Sequence, residues 1–199
     1  MGNHDDSKEV AKDIVLTHGA TIAKLFGVAC ACPPATALGV IADAIKGRRS
    51  KKFVKRLEKL VISLEKRVKR LEDIANYVPD VDLFDEIVAK AISDEDEDKT
   101  EFYAALIEYC ISKKPRSYEV RLLSKALKEL TIYDITALYE FAVNKKTKTD
   151  MPRELEEIHW GKIQNLDLFK GGNIRSPYNA TLLGKKFIEI CELATSLDG

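Results

Sequence analysis

The sequence predicts a mostly α-helical protein, and three observations carry that reading. An unbroken seam of apolar residues at alternating spacings of three and four runs from Val54 to Val78. Helix-capping signals precede several apolar runs, and strand-like signals are confined to a short region after residue 165. The predicted architecture is a helical hairpin (1–47), a long basic amphipathic, coiled-coil-like helix (48–79) and a helical domain (80–199). The last of these ends in a small winged-helix-like module at about 117–197. A chain of 199 residues is long enough for one sizeable core or two small ones.

The first helix is expected over residues 6–32, where Val10, Ile14, Leu16, Ile22, Leu25 and Phe26 recur at helical intervals. Pro33-Pro34 ends or sharply kinks it, because proline lacks the N–H and restricts the residue before it. A second helix, about 35–46, stops at Gly47. The seam then follows: Val54, Leu57, Val61, Leu64, Val68, Leu71, Ala75 and Val78. Valine at one heptad position and leucine at the other favours a parallel two-stranded coiled coil. Phe53, Leu60, Arg67 and Ile74 widen that face, which points equally to packing inside a bundle. Candidate self-association residues are therefore Val54, Leu57, Val61, Leu64, Val68 and Leu71, and a homo-oligomer through residues 53–78 is one expectation.

Asp80 or Asp82 caps the next helix, and Ser93 is expected to begin another, with its acidic run solvated and matched to the helix dipole. That run lacks the glycine turn and terminal glutamate of a calcium loop. Residues 117–144 read as two helices separated by "TIYD", a capping box with Thr131 and Asp134 three apart. "KKTKTD" at 145–150 is loop-like, and Pro152 sits near the start of a helix running to about Asn165. "LDLF", "KGGN" and "IRSPYNA" then suggest a small hairpin, and Thr181 caps a final helix. Helices, a hairpin and a closing helix form the outline of a winged-helix-like module.

Charge is the second informative property. The formal net charge is zero, yet residues 46–71 hold twelve Lys or Arg against Glu58 and Glu65. Residues 72–101 reverse this, with twelve Asp or Glu against Lys90 and Lys99. The four cysteines (30, 32, 110 and 191) match neither a disulfide framework nor a zinc motif, and reduced thiols in an intracellular protein fit them better. Asp5, Asp6, Glu9 and Asp13 give the wrong charge for a signal-peptide start, and Asp6 stands where a myristoylation site needs Ser or Thr.

The span Leu25 to Ala42 contains eighteen residues without a charge, about the minimum for crossing a bilayer. Leu25, Phe26, Val28, Leu38, Val40 and Ile41 are the candidate membrane-contact residues. Their summed insertion free energy is roughly −3 kcal/mol, and the two prolines erode it. Small residues at Gly19, Ala23, Gly27, Ala31, Ala35 and Gly39 have the spacing that lets membrane helices approach closely. The basic block that follows supplies a candidate anionic surface in Arg48, Arg49, Lys51, Lys52, Lys55 and Arg56. These features predict membrane contact through a shallow or re-entrant hairpin, at the cytoplasmic face of the membrane. A buried soluble hairpin is the competing reading. Nucleic acid competes for the same cations but is less favoured, because residues 102–199 balance fifteen basic against thirteen acidic residues.

No nucleophile elbow, Walker loop or zinc-protease motif occurs, and the three histidines sit in no motif. His159 with Glu156 could form an acid–base pair, but a plain surface or interface histidine is the favoured reading, so the expectation is a non-enzymatic protein without metal or cofactor.

The order of elements resembles the abortive-infection alpha (Abi-alpha) family of bacterial proteins. The likeness runs through "PPATALGVIADAIKGRRSKKF", "VPDVDLFDEIVAKAISDEDEDKTEFYAALI", "VRLLSKALKELTIYDITALYEF" and "IQNLDLF…TLLGKKFIEIC", covering most of residues 30–192. The resemblance implies a mostly helical bacterial or mobile-element protein associated with phage defence, with no known catalytic residues to carry over. A protein partner for the C-terminal module is a further expectation. The alternative from a different class is a soluble coiled-coil scaffold or nucleic-acid-associated regulator.

Overall fold

The computed structural model describes residues 51–72, 81–144, 158–170 and 179–196. Among them the chain is mostly helical. The helices are α1 (Lys51–Glu72), α2 (Val81–Ser93), α3 (Thr100–Lys113), α4 (Ser117–Glu129), α5 (Ile132–Asn144), α6 (Ile158–Asn165) and α7 (Leu182–Thr195). A 3-10 turn, Glu97–Lys99, joins α2 to α3. The strands β1 (Phe169–Lys170) and β2 (Asn179–Ala180) form a two-residue antiparallel ladder, Phe169 opposite Ala180.

Helix α3 is the centre of the body, because its sequence is apolar nearly all round. Tyr103 to Ile111 are buried without a break. Around it pack α1, α2, α4 and α7. From α1 come Leu57, Leu60, Val61 and Leu64, each at most 4% exposed. Burying each such side chain contributes about 1.5–3 kcal/mol before entropy is counted. From α7 come Phe187, Ile190, Cys191 and Ala194, and from α4 Val120, Leu123, Ala126 and Leu127. Helix α3 ends at Lys114 in the left-handed region (φ 53°), and Pro115 prevents its continuation.

Two caps predicted from sequence are formed. Asp134 N–H donates to Thr131 Oγ1 (3.1 Å) while Thr131 N–H donates to Asp134 Oδ2 (2.7 Å), a reciprocal box. Thr181 Oγ1 accepts from Gly184 N–H at 2.9 Å at the start of α7. Position 184 also needs glycine for space: a Cβ there would come within 1.9 Å of Leu168 O. That close approach seats α7 against the segment leading into β1.

The acidic run differs from the expectation. Helix α2 continues through Ser93, and α3 does not begin until Thr100. Asp94 Oδ1 accepts from Asp96 N–H, and Asp96 Oδ1 accepts from Asp98 N–H, each at 3.1 Å. These local bonds offer the backbone an alternative to the helix, so alternate aspartates interrupt it. Nor is the run wholly solvated. Asp94 is 3% exposed and accepts from Lys99 Nζ and from Tyr103 Oη (2.8 Å).

A candidate cationic surface on the first described helix

The two blocks of opposite charge seen in sequence fold onto one another. Arg56, half-buried on α1, donates from Nη1 to Ile92 O (3.3 Å) in the last turn of α2 and from Nη2 to Glu95 O (3.1 Å) just beyond that helix. Lys55 Nζ and Lys59 Nζ each lie 3.2 Å from Glu97 Oε2. One turn of paired ammoniums, Lys59 foremost, holds the Glu97 carboxyl below the usual carboxylate range.

Deeper along the helix the pairing is buried. Arg67 is 0% exposed and donates from Nη1 to Glu108 Oε2 (2.7 Å) and Leu193 O (2.8 Å). Its Nη2 donates to Glu101 Oε2 (3.0 Å), whose other oxygen accepts from Ser63 Oγ. Three helices, α1, α3 and α7, thus meet at one guanidinium, whose fork suits several acceptors at once. Among the described residues its Nε has no partner. A buried ion pair holds geometry more than it adds stability, because both charges lost water to form it.

The opposite side of α1 faces outward. Lys52, Lys55, Lys59, Ile62 and Lys66 stand three or four residues apart and so share one stripe. Lys52, Lys55 and Lys66 are exposed, Lys59 is half-exposed, and Ile62 is an exposed large apolar side chain. The core face of the same helix fixes this stripe toward solvent.

Of the candidate anionic-surface residues, Lys52, Lys55 and Arg56 are on described positions of α1, and Lys51 opens that helix. Arg48 and Arg49 lie outside the described residues, as do the candidate membrane-contact residues Leu25, Phe26, Val28, Leu38, Val40 and Ile41. Among the described residues no helix is long and apolar enough to cross a membrane. Of the seam, Leu57, Val61 and Leu64 are buried within the chain's own body, and Val54, Val68 and Leu71 lie on the same helix. Glu156 lies outside the described residues, and no group of three or more His, Cys, Asp or Glu that could hold a metal ion is found among the described ones.

Sequence reasoning missed Lys59, Ile62, Lys66 and Glu97. The repeat of lysine at 52, 55, 59 and 66 was available as a signal for the stripe; nothing in the local sequence pointed to Glu97 as its partner. No protein-family model, curated protein or solved structure matches this chain.

Proposed function

We propose that this is a non-enzymatic, membrane-surface protein of the phage-defence, abortive-infection kind. In this reading the helical body is carried on α1 and the uncharged segment before it makes the membrane contact. The observation that carries it is the outward lysine stripe of α1, which directly follows the apolar span Leu25–Ala42 and the basic residues Arg48 and Arg49 in sequence. Because Leu57, Leu60 and Leu64 hold the other face in the core, the lysines stay aimed outward without a separate ordering cost. Each well-placed lysine is worth about 1 kcal/mol at an anionic bilayer. The Abi-alpha resemblance supplies the biological setting, and the winged-helix-like order of residues 117–197 is read as a protein-contact module.

Flotation of the full chain with neutral and anionic vesicles tests the surface, beside a Lys52→Glu, Lys66→Glu variant. The wild type floats with anionic vesicles, and the double variant weakens that binding at least tenfold, taking about 1 kcal/mol per lysine. A chain that floats on neither vesicle sinks the reading. For the setting, cells expressing the protein should resist plaque formation by phage, and unchanged plaquing against every phage tried counts against it.

A second reading, a soluble winged-helix-like regulator, is favoured by the order α6, β1, β2, α7. Retention on duplex DNA that falls steeply with salt, in a protein that never floats, would select it.

A further inference from the structure

We infer that Lys55 and Lys59 form a two-ammonium clasp for a phosphomonoester, and that Glu97 occupies this clasp as an internal stand-in for the ligand. The inference rests on the membrane-surface reading for its source of ligand, and goes beyond it by naming the ligand chemistry and the competitor.

The geometry is that of two donors converging on one acceptor. Both Nζ atoms lie 3.2 Å from the same carboxylate oxygen. Four residues apart on a helix, the two lysines are neighbours by construction, whereas Glu97 reaches them from the turn between α2 and α3. One carboxylate oxygen faces both ammoniums. A phosphomonoester brings about −1.5 to −2 charges and three acceptor oxygens, enough to give each ammonium its own partner.

Exchange is easy because the occupant is held at the surface. The side chains of Lys55, Lys59 and Glu97 are 62%, 41% and 26% exposed. Ion pairs in such positions contribute little, so Glu97 leaves without disturbing the fold. The surroundings narrow the ligand class. Glu95 and Asp98 are exposed on the same junction and Asp96 is partly so, and these carboxylates repel any incoming anion, so only one that engages both ammoniums at once is held. A carboxylate that replaces Glu97 offers no more than the oxygens it displaces, whereas a phosphomonoester offers three acceptor oxygens to the two ammoniums. Exposed Ile62 and Lys66 continue the stripe beyond the clasp, offering an apolar contact and another cation to a lipid bearing that headgroup.

The test compares the full-length wild type with Glu97→Gln and with Lys55→Gln, Lys59→Gln. Binding is measured to vesicles of phosphatidic acid in neutral lipid, to vesicles of a phosphodiester lipid at matched charge, and to soluble glycerol phosphate followed by phosphorus NMR. The wild type is expected to prefer the phosphomonoester vesicles. Glu97→Gln should tighten that binding roughly threefold by removing the competitor, and the lysine double variant should lose both the preference and the response to glycerol phosphate. If all three proteins bind the vesicles alike and none distinguishes glycerol phosphate, the clasp is overturned while the membrane-surface reading stands. If nothing floats, yet Glu97→Gln binds glycerol phosphate more tightly than wild type, the clasp stands for a soluble phosphomonoester and the membrane reading fails. Identical behaviour of wild type and Glu97→Gln in both arms overturns the inference.

Discussion

Helix α1 carries cations on two sides, and the two sides obey different rules. On the inner side Arg67 is sealed from water, with carboxylates from α3 and a carbonyl from α7 around it. On the outer side Lys55 and Lys59 share one carboxylate in the open. The same charge on the same helix is therefore structural inside and exchangeable outside. What separates them is solvation: removing a partner inside leaves a charge with no water to turn to, whereas outside water replaces the partner at once.

The sharpest way to test that contrast is Arg67→Ala. It takes the guanidinium away from Glu108, whose side chain is 6% exposed, and should cost about 3–5 kcal/mol in chemical denaturation. Combining Arg67→Met with Glu108→Leu removes both charges, and Glu101, 39% exposed, stays hydrated. The double variant should return to within about 1–2 kcal/mol of wild type. A double variant as unstable as Arg67→Ala would break the comparison, because geometry rather than desolvation would then set the cost.

Alkaline pH probes the interior around α3. Burial pushes the Cys110 thiol up to about 12 and raises that of Cys191 as well, from an ordinary value of 9.0. The native state therefore keeps protons that the unfolded chain gives up. Stability is fully present below about pH 9 and falls as pH rises toward 12, by about 1.4 kcal/mol per pH unit for each protected thiol. Denaturation midpoints at pH 8 and 10.5 measure this, and Cys110→Ala should flatten the slope by one group's share. A midpoint independent of pH over that range would show these thiols open to solvent.

Arg56 sits between the two regimes. Arg56→Ala removes two donors, one from a carbonyl in the last turn of α2 and one from a carbonyl just beyond it, and should cost about 1 kcal/mol. The smallest effect belongs to the outer side: Glu97→Gln should leave the denaturation midpoint unchanged while altering anion binding. A clear loss of stability there would make the outer pairing structural too.

How much of this could be read from sequence follows the range of each interaction. The Thr131–Asp134 box and the Thr181 cap were legible because a cap is decided within four residues. The buried face of α1 was legible as a periodicity, but periodicity says nothing of what covers it: Leu57, Val61 and Leu64 suit a second copy as well as they suit α3. The charge blocks were visible as blocks, while their pairing was not, since opposite signs some forty residues apart name no partner. Arg67 gave the most local hint of a long-range contact, an arginine set on an apolar flank. Ser93 misled because acids favour a helix start in general, whereas Asp94 and Asp96 bond to the backbone two residues on and delay it.

The bond from Arg67 Nη1 to Leu193 O spans 126 residues, whereas the bond to Glu108 spans 41. Synthesis delivers these acceptors in order, at about 5–20 residues per second. For several seconds after α3 has emerged, the guanidinium has a carboxylate within reach but lacks the carbonyl of α7. During that interval the side of α3 that Phe187 and Ile190 will cover is open, and a nascent chain stalled there offers chaperones and proteases an apolar surface that the finished protein hides.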